Sequence, residues 1–188
     1  PFKTMGDVVA QMKKDPGSVK WGGGSRGATE HIAAAMIARA VGVDPSKINY
    51  VAFRGGGEAT AAILGGNVTI GGSGYSEFAE YIRTGKMRAV AVTSEARLPG
   101  IDVPTLKEQG IDVAIGNWRG VYGAGGISAA QRKTLTDRVV AATKSKSWAA
   151  SLEKNQWTPA LLAGPAFETF VDTEFASLRA VMVKSGMV

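Results

Sequence analysis

Three times in its first 75 residues this chain passes from a short apolar run, through a knot of glycines, into a helix-like stretch. Residues 18–21, 48–53 and 68–70 read as strands, residues 22–27, 54–57 and 71–74 as glycine loops, and residues 28–40, 58–64 and 75–83 as helices. A parallel return between strands needs a connection long enough for a helix, so this grammar predicts an α/β fold with a parallel sheet. It also puts all three glycine loops at one sheet edge, the carboxyl ends of the strands, where such sheets bind ligands.

The flanks are read in the same way. Thr4 with Asp7 forms a capping-box pattern before Met5, Val8, Val9 and Met12, a short amphipathic helix stopped by Asp15-Pro16-Gly17. A further strand is expected over residues 87–92, a short helix from Thr105 to Gly110, a strand over residues 112–115 and an apolar-aromatic crossing segment over residues 117–122. From Ser128 onward only helices are expected: one to about Lys144, one around Trp148 to Lys154, and one from Pro165 to Lys184. The last carries Phe167, Phe170, Val171, Leu178, Val181 and Met182 on a stripe. These helices have no strands of their own, so their apolar faces call for a sheet that this part of the chain does not supply. Trp148 and Trp157 read as core residues among them.

Composition removes several function classes. The chain has 188 residues, no cysteine and one histidine, which excludes disulfides, thiolate metal sites, cysteine nucleophiles and any site needing two imidazoles. Asp102, Asp112, Glu58 and Glu77 are dispersed without metal-ligand spacing. His31 lacks a recognisable nucleophile and orienting carboxylate, and reads as a packing residue. Neither a catalytic set nor a cofactor is expected. The net charge of +6 favours anionic partners, but the Lys and Arg are scattered, and no nucleic-acid-binding signature accompanies them.

The candidate chemistry lies in the loops. Gly24, Ser25, Arg26, Gly27, Ala28 and Thr29 lead into the first loop helix, where exposed backbone N–H groups and the helix dipole favour an anion. Arg54, Gly55, Gly56 and Gly57 repeat the arrangement, as do Ser73, Gly74 and Tyr75. Three such helix starts on one edge predict a cleft for a small, polar, multiply charged anion. Trp118 and Arg119 offer an indole beside a guanidinium, either closing over a carboxylate or simply packed and solvated. The run Gly22 to Gly27 also satisfies G-x-G-x-x-G, which with Arg54 leaves an NADP-binding oxidoreductase fragment as the alternative.

The order of several segments carries a resemblance: WGGGSRGATEH (21–31), FRGGGEA (53–59), LGGNVTIGGSGYSEF (64–78), AVTSEAR (91–97), IDVPTLKEQG (101–110) and NWRGVYG (117–123). Together they resemble the substrate-binding components of tripartite tricarboxylate transporters, the Bug-type periplasmic receptors, from Pro1 to Val188. The resemblance implies a type II periplasmic-binding-protein-like fold in which residues 1–117 form the second, ligand-binding lobe. Residues 118–188 would cross the hinge and supply the C-terminal helices of a first lobe whose opening part, with the leader, lies before Pro1. It further implies a periplasmic receptor that binds a citrate-like di- or tricarboxylate and hands it to membrane permease subunits. Many members of that family carry Asp-Asn where Ser73-Gly74 stand, a swap expected to favour a more anionic ligand, and a proline where Gly123 to Gly126 stand. Half a cleft with uncovered helices is expected to bind ligand poorly and to associate as a homodimer.

Overall fold

The computed structural model describes residues 2–188; Pro1, the first residue of the expected ligand-binding lobe, lies outside them. Helix α1 (Met5–Lys14) starts on the expected capping box. The Thr4 hydroxyl accepts from the Asp7 N–H at 3.2 Å, and the Asp7 carboxylate accepts from the Thr4 N–H at 2.9 Å. Backbone donors to that carboxylate, from Lys3 and then Thr4, hold its pKa below the usual value. Asp15 closes the helix and then accepts from the Gly17 N–H at 3.1 Å, winding Pro16–Ser18 into a single tight turn. Strand β1 therefore begins at Lys20 and runs to Gly23, two residues later than the sequence pattern predicts.

Helix α2 (Thr29–Ala40), strand β2 (Asn49–Ala52), helix α3 (Gly56–Leu64), strand β3 (Ile70–Gly71) and helix α4 (Tyr75–Arg83) follow. The strands form one parallel sheet in the order β2-β1-β3, with Trp21 opposite both Tyr50 and Ile70. The chain crosses from β1 to β2 in one direction and from β2 to β3 in the other. Right-handed crossovers therefore send α2 and α3 to opposite faces.

The main core packs α1 (Met5, Val8, Met12) against Val19, Trp21, Tyr50 and the inner face of α2 (Ala34, Ile37, Ala38), closed below by Leu106, Ile111 and Val113. Burying each large apolar side chain contributes on the order of 1.5–3 kcal/mol. A smaller cluster joins Ile32 and Ala35 of α2 to Val181, with Leu178 and Met182 packed beside it.

Two strands predicted from sequence are absent. Within residues 87–92 only Val92 is paired, in one bridge to Thr105, through bonds to Pro104 O (2.9 Å) and from Leu106 N (3.1 Å). Residues 112–115 touch the same strip through Ile115 N to Thr93 O at 2.9 Å. Pro104 has no N–H to donate, so isolated bonds replace a ladder. The expected helix after Thr105 is one tight turn, Lys107–Gln109, pinned by reciprocal bonds between Thr105 and Glu108 at 2.8 and 3.0 Å.

The chain divides into two compact units: the first runs to Asn117 and takes in Leu178–Val188, and the second is Trp118–Ser177. The second holds α5 (Ala129–Thr143), α6 (Lys146–Asn155) and most of α7 (Pro165–Lys184), whose last turns belong to the first unit. These helices lie where the sequence places them. Neither α5 nor α6 has a buried residue, and Leu135, Val139, Trp148, Trp157 and Phe175 are all exposed. The core role expected for Trp148 and Trp157 is thereby corrected. Trp148 is 43% and Trp157 56% exposed, so the described residues leave both at the surface.

Candidate functional site

The three glycine loops leave the sheet side by side. Beyond the strands, the Phe53 N–H donates to Gly23 O and the Gly72 N–H to Gly22 O, each at 2.9 Å, so the neighbours of β1 stay in register into the loops. Because α2 and α3 take opposite faces, the crevice of such a sheet opens between the loops after β1 and β3.

The first loop is held from beneath by β2. Gly23 has no room for a side chain, since a Cβ there would lie 2.5 Å from the Tyr50 hydroxyl and 2.7 Å from Glu30 Cβ. The Tyr50 hydroxyl donates to Gly24 O at 3.0 Å, and Arg26 Nη2 reaches Tyr50 O at 3.5 Å. Burial first, then the Glu30 carboxylate, push the Tyr50 pKa far up, so the phenol remains a donor. His31 stacks on Tyr50 with ring centres 4.1 Å apart, and its Nδ1 accepts the Gly27 N–H at 3.1 Å. Burial, then Arg26, lower the His31 pKa. A neutral ring with its proton on Nε2 fits that acceptor role. His31 is thus a packing residue that also ties down the loop. Gly27 sits at φ 79°, a left-handed turn residue with Met182 against it.

The product is a helix start without a side-chain cap. Ala28 is the N-cap of α2 and makes no side-chain cap bond, and the Glu30 carboxylate reaches back beside Gly24 in the loop before it. Thr29 at that start donates to the Asn117 side chain at 3.4 Å.

The other two starts, at Gly55 and Gly74, are likewise without a side-chain cap bond. The Arg54 N–H donates to Glu58 at 3.1 Å, and the Glu77 carboxylate lies beside Gly56, where a side chain at that position would begin. Glu77 also takes the hydroxyl hydrogen bond of Ser73, while its own N–H donates to Gly74 O at 3.0 Å. Gly55, Gly57, Gly74 and Tyr75 complete these two turns. Side chains of the protein thus place a carboxylate beside each loop: Glu30 at the first, Glu58 and Glu77 at the second, and Glu77 at the third.

The structure thus brings Gly24 to Thr29, Arg54 to Gly57 and Ser73 to Tyr75 to one sheet edge. Trp118 and Arg119 belong to the second unit, where Trp118 packs edge-on against Phe167 and Phe170 at 6.0 and 5.3 Å. Sequence reasoning missed Tyr50, Glu30 and Glu77 as the residues that shape the loops. The spacing of Ser73 and Glu77, four apart on a helix start, was the available signal. Gly22 and Gly23 lie within β1, so the G-x-G-x-x-G run is not a single turn. Among the described residues no group of three metal-ligating side chains occurs, and no helix is long and apolar enough to cross a membrane.

The family model for the tripartite tricarboxylate transporter family receptor matches residues 1–187. The chain belongs to this receptor family. Members of the tricarboxylate receptor family are solute-binding receptors rather than enzymes. A Cupriavidus necator relative, the UPF0065 protein in the gbd 5′ region, is 27% identical over 190 residues, spanning 100% of this chain and 56% of its own. The crystal structure of a TctC solute-binding protein from Polaromonas, without ligand, is 31% identical with a TM-score of 0.77, covering 98% of this chain and 62% of that one. Rpa4515 of R. palustris, solved with adipate, has a TM-score of 0.82 at 22% identity over 99% of this chain and 62% of its own, and shares the fold. The receptor family's fold is the one expected from sequence, and this chain spans less than two thirds of the length of these relatives.

Proposed function

We propose that this chain forms the carboxylate-binding part of a periplasmic receptor for a small di- or tricarboxylate, citrate-like in chemistry, that delivers its ligand to the membrane permease of a tripartite transporter. The observation that carries the reading is the uncapped start of α2. An uncapped first turn, a left-handed Gly27 and Arg26 follow the central strand at the carboxyl edge of a parallel sheet, where such sheets bind ligands. Membership of a receptor family and the adipate held by Rpa4515 support a carboxylate ligand. Binding alone is the function proposed, and in this role residues 1–117, with Leu178–Val188 in the same unit, act as the ligand-binding lobe, and residues 118–177 belong to its companion.

The test is titration calorimetry of citrate, malate and adipate into the 188-residue chain, alone and joined to the sequence its relatives carry outside the matched part. Binding to the joined chain, lost when Arg26 and Thr29 are both replaced by Ala, is the expected result. Affinity unchanged by that double substitution would overturn the assignment of the α2 start.

A further inference from the structure

His31 is the one histidine of the chain, and it is buried. It stands at the third position of α2, the place from which Asp7 of α1 and Gln131 of α5 reach back to the backbone N–H of their own caps. Its Nδ1 reaches one residue further and accepts the Gly27 N–H at 3.1 Å. Gly27 is the third residue of a turn closed by the Ala28 N–H donating to Ser25 O at 3.0 Å, and its φ of 79° is close to what a type II turn requires there. The N–H held by His31 therefore belongs to the central peptide of the turn. That peptide is trans, so its Arg26 carbonyl points away from the ring. Turning the peptide over converts a type II turn into type I, a change that glycine accepts.

A neutral imidazole accepts at one nitrogen, whereas an imidazolium has two donors and no acceptor. We infer that His31 makes the Arg26–Gly27 peptide a proton-set switch: the neutral ring holds the Gly27 N–H, and the imidazolium takes the Arg26 carbonyl instead and frees that N–H for an anion, so that a carboxylate binding at this loop draws a proton onto His31. The inference rests on the carboxylate-receptor reading and deepens it. The charged and titratable groups against the ring are Arg26 of the loop and the Tyr50 phenol of β2, stacked at 4.1 Å. Glu30, the neighbour on α2, acts on Tyr50, and the α7 side chains against α2 and Gly27, Leu178, Val181 and Met182, are uncharged. Burial and Arg26 favour the neutral ring, and a ligand carboxylate beside Arg26 offsets both, since an opposite charge favours the imidazolium. Linkage makes the effect mutual: a proton that helps the carboxylate to bind is itself bound more tightly once the carboxylate is there.

The test follows the 188-residue chain by NMR between about pH 7.5 and 4.5, beside its His31→Gln variant. Gln supplies an acceptor that does not titrate, as Gln131 does for the Ser128 N–H. As His31 titrates, the native Arg26 Hα to Gly27 N–H contact should weaken and an Arg26 to Gly27 amide–amide contact should grow, while the variant shows neither change. A turn that ignores the His31 titration, or changes alike in both proteins, overturns the switch. Adipate is then titrated into both proteins joined to the sequence their relatives carry outside the matched part. Adipate should raise the midpoint of the His31 titration, and the native-to-variant affinity ratio should rise several-fold from pH 7.5 to 5. Adipate's own protonation is common to both proteins and cancels in that ratio. Binding that leaves the midpoint unmoved or lowers it overturns the proton uptake while the receptor reading stands. No adipate-induced shift at any loop removes the receptor reading and the proton uptake together, and the ligand-free turn contacts still decide the switch.

Discussion

The first and second units both contain well-capped helices but pack in opposite ways. Helix α1 buries Met5, Val8 and Met12 completely, because β1 and α2 form a second layer against it. Helices α5 and α6 bury nothing, and Phe175 on α7 is 68% exposed. An apolar stripe is thus a statement about what a helix needs, and only a facing layer turns the need into stability. Similar capping chemistry at both ends sharpens the contrast, since α5 opens on a capping box, Ser128 with Gln131, as complete as that of α1.

The largest test of this contrast is truncation of one large apolar side chain in each unit. Met12→Ala should cost about 2–5 kcal/mol in urea-induced unfolding, through lost burial and the cavity left behind. Phe175→Ala should stay within about 0.5 kcal/mol, as an exposed substitution does. Similar losses at the two positions would mean that the second unit is covered in solution.

Glycines give the next test. A side chain at Gly23 collides with Tyr50 and Glu30, so Gly23→Ala should cost about 1–3 kcal/mol by overpacking. Gly125 has open space and no left-handed backbone, so Gly125→Ala should be neutral or raise the midpoint slightly. A neutral Gly23→Ala would show that the Tyr50–Gly24 strut moves freely.

The two caps should separate less. Thr4→Ala removes the α1 cap and should lower global stability by about 1 kcal/mol. Ser128→Ala should reduce helical circular dichroism without moving the unfolding of the first unit. Matching shifts of that transition would join the units into one cooperative body.

Smallest is a pH effect confined to the first unit. His31 has its pKa lowered on folding from an ordinary value of 6.5, by burial first and Arg26 second. The unfolded chain then binds the proton more readily, so stability present above pH 6.5 is lost as the pH falls through that value toward the lower folded pKa. Thermal melts between pH 7.5 and 5 should show a fall that His31→Gln reduces. An identical slope in the variant would assign the effect to other groups.

Much of this molecule was legible in its residues. The capping box of Thr4 and Asp7, the stop at Asp15-Pro16, and helix α4 from Tyr75 to Arg83 follow from local rules and appear as read. The placement of Gly24, Arg54 and Ser73 at one edge follows from the strand–loop–helix order. Less legible were the strands expected at 87–92 and 112–115, where β-favouring residues meet Pro104 and make single bonds. Least legible were the side chains that shape the loops. Nothing local to Gly56 announces that Glu77, 21 positions on, lies against it.

By itself the sequence determined the element types, their order, and a chain rich in anion-facing turns, because caps, glycines and apolar spacing act over a few residues. The tertiary structure alone decided which stripes find a partner layer and which side chains gather at the loops, with Tyr50 under the first, Glu30 beside Gly24 and Glu77 beside Gly56. Those outcomes depend on side chains brought together across the sheet, and a crossover between parallel strands sets residues far apart in sequence within hydrogen-bond reach.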